Sequence, residues 1–144
     1  MMSLALFREF VKPRVRQMAD LVHSFGKTLM FHSCGSVRLY IEDLIEAGVD
    51  ILNPVQTSAA GMDPQWLKST FGDRLTFWGG GVDTQQGLLF WSHDELMEDV
   101  RRRVNIFAPG GGYVFNPIHN IQPGSDPARV LACYDAALEA GFYS

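Results

Sequence analysis

Apolar residues along this chain switch between two spacings, and the switching predicts its architecture. Leu6, Phe7, Phe10 and Val11, then Val15, Met18, Val22 and Phe25, recur at helical period. Pro13 falls in the middle of that run, where its ring and missing N–H would break a helix. A short helix is therefore predicted, then a second with Pro13 in its first turn and Gly26 as its stop. Four short apolar bursts read as buried strands: Thr28 to Phe31, Val49 to Leu52, Leu75 to Trp78 and Gly112 to Phe115. Helical patterns separate them. Val37, Ile41, Leu44 and Ile45 form one, closed by Gly48; Asp63-Pro64 caps the next, which carries Leu67 and Phe71 and stops at Gly72. Ser92 with Glu95 is a capping box in front of Leu96, Val100, Val104 and Phe107. Asp126-Pro127 opens the last helix, whose apolar side is predicted from Val130, Leu131, Tyr134, Ala137 and Leu138. Strands alternating with helices imply an α/β domain, residues 1–144, with parallel strands joined by helical crossovers.

Composition narrows the class. With 47% hydrophobic and 19% charged residues in 144, the chain can bury a core. Its formal charge of -4 argues against nucleic acid as a partner. The one basic run, Arg101-Arg102-Arg103, lies in a helical pattern and reads as a solvated face. No apolar stretch is long enough to span a bilayer, and the first residues lack a signal-peptide pattern. Two cysteines, Cys34 and Cys133, make no disulfide framework, so a cytoplasmic protein with reduced thiols is expected.

Residues of chemical interest gather after the predicted strands. His32 and Cys34 follow the first, two positions apart, so an extended backbone points both to one side. An imidazole and a thiol so placed, before a permissive Gly35, make half of a zinc site; the plainer alternative is a hydrogen-bonded histidine beside an inert thiol. Asn53 and Gln56 follow the second strand, Asp83 the third, and Asn116, His119 and Asn120 the fourth. In parallel α/β folds ligands bind at that edge, where the loops converge. Asn53 could equally end its strand, and Asp83 could be a turn residue. Gly79-Gly80-Gly81 fits no phosphate-binding fingerprint and reads instead as a place of close approach by a ligand or a neighbouring backbone. His23 and His93 read as surface positions, and Cys133 as inert.

Taken in order, Phe31-His32-Ser33-Cys34-Gly35 with Leu44 through Asp50, Asn53-Pro54-Val55-Gln56, Leu75 through Gly80 with Val82-Asp83-Thr84-Gln85, and Gly110 through Gly124 resemble the uroporphyrinogen decarboxylase superfamily over almost the whole chain. The resemblance implies a (β/α)8 TIM barrel, of which these four strand–helix units, preceded by a helix, would be the C-terminal half. One branch of that superfamily decarboxylates porphyrinogens without metal. Another, similar to methylcobamide:thiol methyltransferases, holds zinc through a His-x-Cys pair and a later ligand. His32 and Cys34 match the pair; the later ligand, usually cysteine, corresponds here to His119, a departure that keeps a good zinc donor. The resemblance thus implies Zn2+ on His32, Cys34 and His119, a corrinoid methyl donor that a partner protein could carry, and a thiol or similar small-molecule acceptor. It gives Asp83 and Gln56 to the catalytic machinery and Asn53, Asn116 and Asn120 to binding. The alternatives are a porphyrinogen decarboxylase-like lyase and a non-catalytic half-barrel that only binds.

A complete barrel takes about 250 residues, so the sequence is expected to be a fragment or a half-barrel completed by another chain. Strands one and four would be open edges, with Leu29, Phe31, Phe77 and Trp78 or their alternates exposed on the inner face. A homo-oligomer, most simply a two-fold dimer, is predicted on that ground.

Overall fold

In the computed structural model, which describes residues 2–141, all four predicted strands form, each shorter than its apolar burst. They are β1 (Met30–His32), β2 (Ile51–Asn53), β3 (Thr76–Trp78) and β4 (Tyr113–Val114). They pair in parallel in the order β1-β2-β3-β4, and a helix follows each, the arrangement of half a (β/α)8 barrel. The register puts Phe31, Leu52, Phe77 and Tyr113 in one row across the sheet. That row faces the helices: Leu52 and Phe77 are fully buried, and Phe77 packs on Phe107, whose ring stacks on Tyr113. By the two-residue period Met30, His32, Ile51, Asn53, Thr76 and Trp78 turn to the opposite face. Of the residues expected on the inner face, Trp78 lies there, while Phe31 and Phe77 do not and their alternates Met30 and Thr76 do. His32 and Asn53 are also the last residues of their strands rather than the first of the loops.

The helices follow their caps. Asp63, Ser92 and Asp126 accept from the first backbone N–H groups of α4 (Pro64–Phe71), α6 (His93–Phe107) and α7 (Pro127–Ala140), and Ser92 and Glu95 form the predicted box. A 3-10 turn leads into α3 (Ile41–Glu46), and a short α5 (Gly87–Phe90) lies where no helix was predicted. At the N-terminus a short helix and a second one with Pro13 in its first turn form as predicted, but no break separates them. α1 (Leu4–Leu6) and α2 (Lys12–Ser24) are joined by a π-helical turn over Phe7–Val11, in which the Lys12 N–H reaches back to the Phe7 carbonyl. The wider turn accommodates Pro13 without interrupting the helical run. The run is fastened to α3 by Arg8 and Lys12, which both bond the buried Asp43 at 2.9 and 2.6 Å. Burial pushes the Asp43 carboxyl up, but the bonds from Lys12 and Arg8 outweigh it and hold the group below the usual carboxylate range.

The last helix corrects the predicted core. Cys133, Ala136 and Ala137 are its buried side, packed with Leu96, Val100 and Val104 of α6, whereas Leu131, Tyr134 and Leu138 face outward. Small side chains let the two helices approach closely, which the larger apolar stripe would prevent. No helix among the described residues is long and apolar enough to cross a membrane.

Candidate functional site

The end of β1 places His32 beside the end of β2, and the hydrogen bonds there fix its chemistry. The Asn53 carboxamide donates through Nδ2 to the Trp78 carbonyl at 3.0 Å, so its oxygen must face the other way. That oxygen, Oδ1, accepts from His32 Nδ1 at 2.6 Å. An amide oxygen only accepts, so Nδ1 carries the ring proton and Nε2 keeps a free lone pair. Cys34 Sγ lies 3.5 Å from that nitrogen. Two adjacent ligands on a tetrahedral zinc ion, with Zn–N near 2.0–2.1 Å and Zn–S near 2.3 Å, stand about 3.6 Å apart. The pair thus has the donor types, the tautomer and the spacing of two zinc ligands. It is also accessible, since both side chains are exposed.

Gln56 holds the turn that presents the thiol: its Oε1 accepts from the Gly35 N–H at 2.7 Å. Gly35 has φ +79, a conformation that glycine adopts without strain. Across from His32, Asn53, Pro54, Asn116, His119 and Asn120 complete the lining of a cleft of about 110 Å³. His32 and His119 therefore share one cleft. Gln122 Nε2 lies 3.4 Å from His119 Nδ1 and donates to the Asn120 carbonyl at 2.9 Å. Among the described residues no three His, Cys, Asp or Glu side chains stand close enough together to hold a metal ion, so the third predicted ligand is near the pair but not upon it. Asp83 is buried and does not line the cleft; its Oδ1 accepts from the N–H groups of Gln85 and Gln86, at 2.9 Å each, shaping the turn before α5.

The glycine run is a place of close approach by neighbouring backbone, as expected, whereas the basic run departs from its expected role. Gly79-Gly80-Gly81 admits neighbouring backbone and side chains: the Gly80 N–H bonds the Pro54 carbonyl at 2.9 Å, and the Gly81 N–H bonds Asn116 at 2.9 Å. Arg103 corrects the reading of the basic run. Arg101 and Arg102 are exposed, but Arg103 is buried, paired with buried Asp99 one turn earlier on α6. Its guanidinium reaches the Thr57 hydroxyl and, at 3.0 Å, the Gly80 carbonyl, tying together the loops after β2 and β3. The signal was present: Asp99 and Arg103 sit on the same helical stripe as Leu96, Val100, Val104 and Phe107.

The two thiols differ in a way that a simple titration reads. Burial pushes the Cys133 thiol up to about 11, whereas Cys34 is exposed. Ellman's reagent at pH 8, with a chelator present, is expected to react with one thiol per native chain and with two in urea. Cys34→Ala should leave no rapidly reacting native thiol, and two fast thiols in the folded wild type would contradict the burial of Cys133.

Comparison with known proteins bears on the family and the fold. The family model described as uroporphyrinogen decarboxylase (URO-D) matches residues 1–140. The uroporphyrinogen decarboxylase of Thioalkalivibrio sulfidiphilus is 32% identical over 102 residues, which are 71% of this chain and 27% of that protein. That of Magnetococcus marinus is 25% identical over 97% of this chain and 38% of its own length. A methyltransferase from Methanosarcina mazei shares the fold, with a TM-score of 0.75 and 24% identity over 96% of this chain and 38% of that one. The chain thus spans well under half the length of the relatives it matches.

Proposed function

Since the chain belongs to the uroporphyrinogen decarboxylase (URO-D) family, we propose that it serves the zinc-dependent, methyl-transferring chemistry of that superfamily, moving a methyl group from a corrinoid-type donor to a thiol. The observation that supports this reading is the His32–Cys34 pair, with the ring proton on Nδ1 and Nε2 facing the thiol at 3.5 Å. His32 and Cys34 would hold the ion, and His119, lining the same cleft, would complete the set. Zinc bound there would supply a Lewis acid that lowers the proton affinity of an acceptor thiol.

The chain's own residues set the conditions. Asn53 keeps His32 in the tautomer a metal ligand needs and stops the ring from turning. Gln56 holds the Gly35 turn that follows Cys34, whose thiol stands 3.5 Å from His32 Nε2. Asn116 and Asn120 offer amide groups to an acceptor from the far wall. Asp83 acts at one remove, by shaping the loop after β3.

Elemental analysis of protein purified without chelator is the test. Close to one equivalent of zinc is expected in the wild type, with most of it lost in Cys34→Ala. Below about a tenth of an equivalent in the wild type, well under the occupancy of a tight site, the reading falls. A porphyrinogen decarboxylase-like lyase activity would then take its place, the reading that the names of the curated relatives favour.

A further inference from the structure

A cation on the strand-end rim is held in place without being given a partner. Arg38 opens the 3-10 turn after β1, and its guanidinium carbon lies 4.7 Å from the centre of the Trp66 ring, in the first turn of α4. Trp66 is itself fixed against Phe71, a core residue, edge to face with ring centres 5.3 Å apart. The arginine stem also crosses Gly61, in the loop after β2. A Cβ at Gly61 would lie 2.7 Å from Arg38 Cδ and 3.0 Å from Nη1, so a side chain there would push the guanidinium away. An aromatic face and a glycine, from different stretches of chain, thus make one seat. Its parts come from the segments flanking β2, which has a strand on either side, and none of them lines the His32 cleft.

What the seat leaves unused is hydrogen-bonding capacity. Arg8, Arg74 and Arg103 each meet a carboxylate, and Arg129 meets backbone carbonyls. Arg38, though held as firmly, meets neither among the described residues; Asp63, at the start of the same helix as Trp66, spends its Oδ1 on the Trp66 N–H instead. Acidic residues outnumber basic ones, 16 to 12, so carboxylates are not scarce. A guanidinium stacked on a ring keeps its edges clear, and those edges carry the N–H donors in a planar fork. Stacking also removes rotamer freedom in advance, so an incoming ligand meets a pre-organised group. The fork matches two oxygens of one carboxylate or phosphate, bonded side by side.

We propose that Arg38, seated on Trp66 and Gly61, is a binding site for an oxyanion, the carboxylate or phosphate group of a small molecule. Both groups present the paired oxygens that the fork reads. Arg38 is exposed, so the fork opens to solvent and needs no rearrangement to be reached. The site stands on the same edge of the sheet as the His32 cleft but does not depend on the metal reading, since neither His32 nor Cys34 contributes to it.

Titration of the full chain with inorganic phosphate and, separately, with acetate tests it at constant ionic strength, with potassium chloride alone as the reference. Heteronuclear NMR reads the Arg38 Nε–H and the Trp66 indole N–H. Shifts at both groups that saturate with phosphate, acetate or both are expected, and the anion that saturates names the group. Arg38→Lys keeps the charge but loses the fork, so it should weaken binding about tenfold, read at the Trp66 indole. Gly61→Ala should weaken it too, by unseating the guanidinium, and circular dichroism separates that from a loss of folding. Arg38→Lys, at an exposed position, keeps the test valid if Gly61→Ala does not fold. Shifts that stay linear with both anions, shifts no different from those in chloride, or undiminished affinity in Arg38→Lys would each overturn the proposal.

Discussion

Gly79→Ala is expected to cost about 2–6 kcal/mol, a large share of the stability of the domain. Gly79 has φ +125, which side chains other than glycine rarely adopt, and strain of that kind costs about 1–3 kcal/mol. The larger effect is steric. A Cβ built there would lie 1.7 Å from the Pro54 carbonyl oxygen and 2.4 Å from its carbon, both backbone atoms of the loop after β2. Neither can rotate away, so the loop must move as a unit. Moving it breaks the Gly80 to Pro54 hydrogen bond and displaces the wall of the cleft that faces His32. Overpacking adds about 1–3 kcal/mol or more, against a total stability of about 5–15 kcal/mol for a domain. Gly110→Ala is the control. Its φ is +76 but nothing lies within 4 Å of the added carbon, so only the left-handed penalty of about 1–2 kcal/mol applies. Urea unfolding followed by circular dichroism reads both. Equal midpoints for the two variants would show that Pro54 does not press on Gly79.

The second large effect belongs to Arg103. Arg103→Ala should cost about 3–5 kcal/mol, because Asp99 stays buried without its principal partner while the Thr57 hydroxyl and the Gly80 carbonyl lose theirs. Arg102, on the exposed side, still bonds Asp99 and moves the expected value to the lower end of that range. Asp99→Leu with Arg103→Met should restore much of the loss, since an apolar pair of similar volume carries no unpaired charge. Because Thr57 follows Gln56, which holds the Gly35 turn, Arg103→Ala should also alter the reactivity of Cys34 under native conditions. An Arg103→Ala variant within about 1 kcal/mol of the wild type would show that water reaches the pair and replaces the lost bonds.

The sequence by itself determined the features that arise within a dozen residues. Strand bursts, the Ser92–Glu95 box and the Asp63-Pro64 and Asp126-Pro127 caps depend on backbone groups one turn away, and all formed. His32 and Cys34 do come together, but Cys34 lies beyond the end of β1, in the turn that Gln56 holds. Pro13 shows the limit even of local reading: the residue was placed correctly, but a π-turn, one of several ways to relieve it, was selected by packing against α3.

Tertiary structure decided the rest, because the partners are far apart in sequence. Which of Arg101, Arg102 and Arg103 is buried depends on where α6 meets loops 23 and 46 residues away. Which side of α7 packs depends on how near α6 comes, and that favours Cys133, Ala136 and Ala137 over the larger residues the pattern suggested. Sheet register decided which neighbours the Gly79 to Gly81 run admits, bringing Pro54 and Asn116 against it. Periodicity records which positions want burial; only the register of strands and the spacing of helices assigns each of them a neighbour.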